Sequence, residues 1–193
     1  SCSPASDWQM TPFQLRKAAR ILHLGGILAY PTEAVFGLGC DPLNEQSVQR
    51  LLAIKQRPVY KGLILIGAEL AHVRPYIQTV AEADLRGVLD TWPGPATWLL
   101  PAASWVPGWI TGEHDSIALR LTAHPPAAAL CKAFGGAIVS TSANMSKRPP
   151  ARTSLQARIR CGNQPDMILP GATGDLDSAT PIRDALNGHS IRA

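Results

Sequence analysis

Lys55-Gln56-Arg57 and Ser140-Thr141-Ser142-Ala143-Asn144 gather polar groups that a packed core has no use for. The first supplies an ammonium and a guanidinium, strong donors to phosphate or carboxylate. The second supplies hydroxyls and an amide, which orient oxygens without adding charge. Each falls where a helix or strand gives way to a loop, and together they predict a site for an anionic substrate. In extended geometry Ser140, Ser142 and Asn144 share one side, as ligand-facing groups at a strand's end do. Taken alone, Lys55 and Arg57 fit a solvated helix end better, where positive charge complements the dipole, and the pair by itself is weak evidence.

Other chemistry-bearing patterns are weaker. Neither a Gly-x-x-x-x-Gly-Lys phosphate loop nor a Gly-x-Gly-x-x-Gly dinucleotide fingerprint occurs, so a nucleotide site must be built otherwise. His114-Asp115-Ser116 holds the letters of a hydrolase triad, but neighbouring residues on a strand point to opposite faces and cannot relay a proton in line. Residues 31–39 follow an apolar run directly and read as a Gly-containing turn. Glu33 within them is the carboxylate nearest the site in sequence and is not expected to be catalytic.

The elements that must hold these groups follow from pattern. Thr11-Pro12-Phe13-Gln14 reads as a capped helix start, with Leu15, Ala18, Ala19 and Leu22 on one face. Gly25-Gly26 ends it, and 27–30 is a buried strand. After a turn-rich stretch to Pro42, Asn44 caps a second helix with Val48, Leu51 and Leu52 inward. Pro58 disfavours helical geometry at Arg57, so this helix ends between Lys55 and Arg57, and fraying there lets both cations face one ligand. Strands are expected at 63–66, 97–100, 116–121, 137–140 and, last, 167–169. Helices are expected near 69–73, 81–89, 125–133 and 153–160, with a turn at 92–95 and a loop from 101 to 115. On 116–121, Ile117, Leu119 and Leu121 take one face, leaving Ser116 and Arg120 together on the other. The alternation of helices and apolar strands predicts a single α/β domain over residues 8–193, with a twisted sheet of mixed parallel and antiparallel strands flanked by helices. The loop-only link between 97–100 and 116–121 permits antiparallel pairing.

Bulk properties bound the function. At 193 residues and 46% hydrophobic, the chain can bury one substantial core. Its net charge of +4 fits polyanionic partners, although the Lys and Arg residues form no long block. Cys2, Cys40, Cys131 and Cys161 are widely spaced and indicate neither a disulfide framework nor a zinc site. No stretch reads as a leader or a membrane span. A reduced, cytoplasmic setting is expected.

The segments Tyr30-Pro-Thr-Glu-Ala-Val-Phe-Gly-Leu-Gly, Lys55-Gln-Arg-Pro, Lys61-Gly-Leu-Ile, Trp92-Pro-Gly-Pro-Ala-Thr, Ser116-Ile-Ala-Leu-Arg and Ser140-Thr-Ser-Ala-Asn, in this order, closely resemble the YrdC-like family, the threonylcarbamoyl-AMP synthases of tRNA modification. The likeness runs from about Gly26 to Arg192. It is strongest to the short bacterial form, since the chain stops soon after Ile182-Arg183-Asp184. The resemblance implies a nucleotidyltransferase that joins L-threonine, bicarbonate or carbon dioxide, and ATP into threonylcarbamoyl-adenylate and pyrophosphate. Other proteins then carry the threonylcarbamoyl group to tRNA.

By the same resemblance, Lys55, Ser116, Ser142, Asn144 and Arg192 fall where the family meets ATP, with Arg57 beside them. Thr32, Lys61, Arg120, Ser140 and Thr180 fall where it holds threonine. Lys55 and Arg57 are the candidate catalytic groups, because attack on the α-phosphate builds charge that fixed cations stabilise. Arg120 suits a bidentate carboxylate clamp. Magnesium is expected to bridge the phosphates without a protein cage. Lys147-Arg148 and Thr180-Pro181 depart from the family pattern. The competing reading is an RNA-binding or ribosome-maturation factor, suggested by Lys147, Arg148, Arg152, Arg158 and Arg160, yet the chain has few aromatics for base stacking. A relative of the YrdC-like domains inside larger hydrogenase-maturation proteins is a third.

Overall fold

A computed structural model describes residues 10–79, 82–144, 149–174, 176, 182–185 and 190–192, with only the backbone described at 82–84 and 190–192. Helix α1, Pro12–His23, begins with the expected capping box: Thr11 Oγ1 accepts from the Gln14 amide at 3.1 Å, and Gln14 Oε1 accepts from the Thr11 amide at 2.9 Å. The chain then enters β1, Leu28–Pro31, and turns back through β2, Phe36–Gly39. The stretch read as turns alone therefore hides a strand. Its two glycines, Gly37 and Gly39, disguised the alternation. They lie under the Tyr30 ring, and a β-carbon on Gly39 would meet that ring at 2.8 Å.

Helix α2 covers Glu45–Lys55 and is capped by Asn44 Oδ1. A 3-10 turn at Val59–Lys61 leads to β3, Ile64–Gly67. Then come α3, Leu70–Val73; α4, Glu82–Leu89; and β4, Thr97–Pro101. The expected loop to 115 contains a short helix, α5, Gly108–Thr111. After it come β5, Ser116–Leu121; α6, Pro125–Phe134; β6, Ile138–Ser142; and α7, Ser154–Cys161, which Thr153 caps. Met167–Ile168 forms β7, but it is not the last strand: β8, Ile182–Asp184, and β9, Ser190–Arg192, extend the sheet. Both are short, and Ile182-Arg183-Asp184 has no apolar run to betray it.

Across the described residues the strand order is β7-β1-β2-β6-β3-β5-β4-β8-β9. The pairs β1/β7, β3/β5 and β4/β8 are parallel; β1/β2, β2/β6, β3/β6, β4/β5 and β8/β9 are antiparallel. The mixed sheet is as the sequence predicts, and β4/β5 takes the antiparallel pairing that its loop-only link permits.

Strand alternation sorts the core into two. Ala29, Leu65, Ile117, Leu119 and Val139 pack on one face with Val48 and Leu51 of α2 and Ala157 of α7. Leu28, Tyr30, Ile66 and Ile138 point the other way, against Ala18 and Leu22 of α1 and Ala127 and Leu130 of α6. Strands buried on both sides read as unbroken apolar runs. The second face is only half covered, however. Beyond Ile66 and Ile138 the same side of the sheet carries Ile64, Ser140, Ser142, Ser116, Ala118 and Arg120, and among the described residues it floors an open cleft.

Candidate functional site

The cleft has a volume of about 860 Å³. The i, i+2, i+4 positions Ser116, Ala118 and Arg120 of β5 line its floor, beside Ser140 and Ser142 of β6 and Thr97 and Leu99 of β4. Thr32 and Glu33 come in from the β1–β2 turn, and Lys55, Gln56, Arg57 and Lys61 from the end of α2 and the 3-10 turn. Nine of the residues singled out in the sequence thus share one cavity: Thr32, Lys55, Arg57, Lys61, Ser116, Arg120, Ser140, Ser142 and Asn144. Arg192 is described by its backbone, which pairs in β9 with Ile182, itself on the cleft wall. Thr180, Lys147 and Arg148 lie outside the described residues.

The end of α2 does not fray as the sequence suggested. Gln56 takes a left-handed conformation, φ 49° and ψ 39°. The Arg57 amide donates to Leu52 O at 3.0 Å and the Gln56 amide to Ala53 O at 3.1 Å. This is a Schellman closure with glutamine where glycine is usual. Reversing the chain at one residue is what brings Lys55 and Arg57, two positions apart, to the same cavity.

Both cations are already braced. Lys55 Nζ donates to Ser142 O at 2.7 Å and Asn144 O at 2.8 Å, with Ser142 Oγ at 3.2 Å and Asn144 Oδ1 also in contact. Ser142 Oγ in turn donates to Asn144 Oδ1 at 2.8 Å. The ammonium therefore knits the 140–144 segment to α2. Burial pushes its pKa down to about 8, and the charge of Arg57 works in the same direction. Arg57 donates from Nε and Nη2 to Gly62 O, each at 3.1 Å, which ties the 3-10 turn carrying Lys61 to the helix end. Gly62 and Gly112 make that packing feasible: both have positive φ, and a β-carbon on Gly112 would strike the backbone of Tyr60.

At the other end, Thr32 spends its hydroxyl proton on Val35 O at 2.6 Å, which leaves the oxygen as an acceptor. Tyr30 is buried beneath, its Oη donating to Val139 O at 3.3 Å, and burial drives its phenol far above the usual range. Arg120 forms an ion pair with Glu33, whose carboxylate also accepts from Thr122 Oγ1 and the His124 amide. The sequence reading set Glu33 aside and missed this partnership, which links residues far apart in the chain. His114 and Arg152 also reach the cleft wall, unforeseen as parts of the site. Among the described residues no group of three or more His, Cys, Asp or Glu side chains is arranged to hold a metal. Cys40, Cys131 and Cys161 are buried free thiols, and burial raises all three pKa values, those of Cys40 and Cys131 to about 12. No helix among the described residues is long and apolar enough to cross a membrane.

Comparison with known proteins matches residues 20–193 to the Sua5/YciO/YrdC family model, which carries the description "Telomere recombination". The chain belongs to the Sua5/YciO/YrdC family. A member from Halorhodospira halophila named threonylcarbamoyl-AMP synthase is 51% identical over 181 residues, covering 94% of this chain and 95% of its own. Another of that name, from Cellvibrio japonicus, is 47% identical over 186 residues, covering 96% and 98%. Among solved structures of the family, P. abyssi Sua5 complexed with L-threonine aligns with a TM-score of 0.85 at 29% identity. That match covers 92% of this chain and 52% of Sua5, so the chain spans about half the length of that protein.

Proposed function

We propose that this chain is a threonylcarbamoyl-AMP synthase. One observation carries the reading: a single cleft combines a cation-and-amide end, Lys55, Arg57, Ser142 and Asn144, with a hydroxyl-and-guanidinium end, Thr32, Ser140 and Arg120. A nucleoside triphosphate and an amino acid need these two ends side by side. The threonine complex of Sua5 and the names of the full-length relatives support the same substrates.

In the reaction, the amine of threonine adds to carbon dioxide, or to bicarbonate with loss of water, to form a carbamate. A carbamate oxygen then bonds to the α-phosphorus of ATP, the bond to the β-phosphate breaks, and pyrophosphate leaves. Lys55 and Arg57 stabilise the charge on the phosphoryl oxygens, and Arg192 is assigned to the same end. Ser116, Ser142 and Asn144 bind polar atoms of the nucleotide. Arg120 takes the threonine carboxylate; Thr32, Lys61, Ser140 and Thr180 hold its remaining polar groups. Magnesium would accompany ATP and supply positive charge to the phosphates, with no dedicated protein ligands required.

No carboxylate or histidine is assigned as a general base, and the main catalytic contributions are proximity and charge stabilisation. Downstream proteins that receive the labile adenylate, weak electrostatic contact with tRNA, and a cytoplasmic location belong to the same proposal. Mass spectrometry of the products from ATP, L-threonine and bicarbonate is the test. Threonylcarbamoyl-adenylate is expected; ATP and threonine returned unchanged would refute the proposal.

A further inference from the structure

Glu33 sits at the junction of three elements. Its Oε2 accepts from Arg120 Nη1, and its Oε1 accepts from Thr122 Oγ1 and, at 3.3 Å, from the amide of His124, the residue that precedes the ten-residue helix α6. The side chains of Glu33 and Arg120 are only 13% and 8% exposed, yet both border the cleft. Its backbone is held as well: Leu176 donates to Glu33 O at 3.2 Å, and Gly174 donates to Thr32 O at 2.9 Å. A β-carbon on Gly174 would meet Glu33 O at 2.7 Å, so Gly174 lies directly against the turn. The carboxylate is thus anchored from the α6 side before it meets the guanidinium. Although burial opposes ionisation, Arg120 and the Thr122 hydroxyl outweigh it and hold the Glu33 pKa below its ordinary value, which makes it a poor proton acceptor near neutral pH.

We infer that Glu33 is a positioning residue for the amino-acid half of the cleft, fixing Arg120 through Nη1 so that the other guanidinium donors meet the threonine carboxylate already oriented. The inference rests on the proposed synthase reading. Among the described residues only Nη1 of Arg120 has a hydrogen-bond partner, so two or more donors remain for a ligand. A free arginine would lose its rotamer freedom on binding, and a pinned one has already lost it. The opposing effect is Coulombic: the negative charge of Glu33 repels a bound carboxylate. The two effects have opposite signs when the charge is removed, and this makes the inference decidable.

The experiment compares wild-type protein with Glu33→Gln by calorimetry, titrating L-threonine and ATP separately, and by initial rates with L-threonine and L-threoninamide, which lacks the carboxylate. At metal sites, loss of a partner that orients a ligand costs about 10–100-fold in affinity, and the lower end of that range is the guide for an oriented guanidinium. Threonine affinity is therefore expected to fall about ten-fold in Glu33→Gln while ATP affinity holds, and the preference for threonine over its amide to shrink by a similar factor. Tighter threonine binding, or equal losses for both ligands, overturns the inference. If Glu33→Gln does not fold, Thr122→Val removes an anchor from the same carboxylate; a selective loss of threonine affinity supports the inference and an unselective one overturns it. A wild-type chain that binds no threonine and forms no adenylate overturns the functional reading itself, and the inference with it. Wild-type binding unaltered by either variant overturns this inference alone.

Discussion

Lys55 and Arg120 are two of the charged residues that line the cleft, and each makes a measurable prediction. The Lys55 ammonium has a pKa of about 8 in the folded chain against an ordinary 10.5. Between those values the unfolded chain binds more protons than the folded one, so this group's contribution to stability rises with pH across that window, while below it the cost of the buried charge is fully present. Binding to phosphate runs the other way, since it needs the cation. ATP affinity should weaken as the pH climbs through about 8, and Lys55→Arg should flatten the profile, as calorimetry from pH 7 to 9.5 would record. For Arg120, hydrogen bonds to a charged partner contribute about 1.5–3 kcal/mol. Arg120→Ala should therefore weaken threonine binding by roughly ten-fold or more, and an unchanged affinity rules out the carboxylate clamp. The residue types at both positions were legible in the sequence. Their partners were not, because Lys55 meets Asn144 and Arg120 meets Glu33 across 89 and 87 positions of chain.

The turn from α2 into β3 is the element that aims the cations, and it depends on backbone shape as much as on side chains. Gln56 in the left-handed region reverses the chain, and Arg57 clasps Gly62 O. On the facing side Gly112, with φ +66°, lets the end of α5 pack against Tyr60 and Gly62. Gly112→Ala imposes both a positive φ and a backbone clash, and should destabilise the protein by about 2 kcal/mol or more in urea titration. It should also weaken substrate binding, since Lys61 lies in the displaced turn. Proline and the helix periodicity located the end of α2 to within two residues. They could not reveal the Schellman closure, because no glycine announces it, nor α5, whose four residues Gly108–Thr111 are too few to show a period.

At the scale of the molecule, one sheet serves two cores, and neighbouring residues of β3 belong to opposite ones: Leu65 to the core that includes α2, and Ile66 to the core that includes α6. Truncating either leaves a cavity that costs about 2–5 kcal/mol. Because the cores share the same strands, Leu65→Ala and Ile66→Ala should each lower one common unfolding transition. Two separate transitions in calorimetry would show that the cores melt independently. The cleft exists because α1 and α6 cover only part of their face, and the uncovered part presents Ser116, Arg120, Ser140 and Ser142.

The sequence by itself determined the alternating pattern that makes an α/β domain, the family likeness, and the residue types on each strand face, since these depend on period and composition within a few residues. It hid β2 behind glycines and β8 and β9 behind their brevity, because such strands are stabilised by their neighbours more than by their own pattern. Only the tertiary structure decided that two distant polar segments share one hollow, and that a carboxylate set aside in the sequence, Glu33, holds the arginine on its floor. Burial and pairing across the sheet are non-local, and no spacing along the chain encodes them.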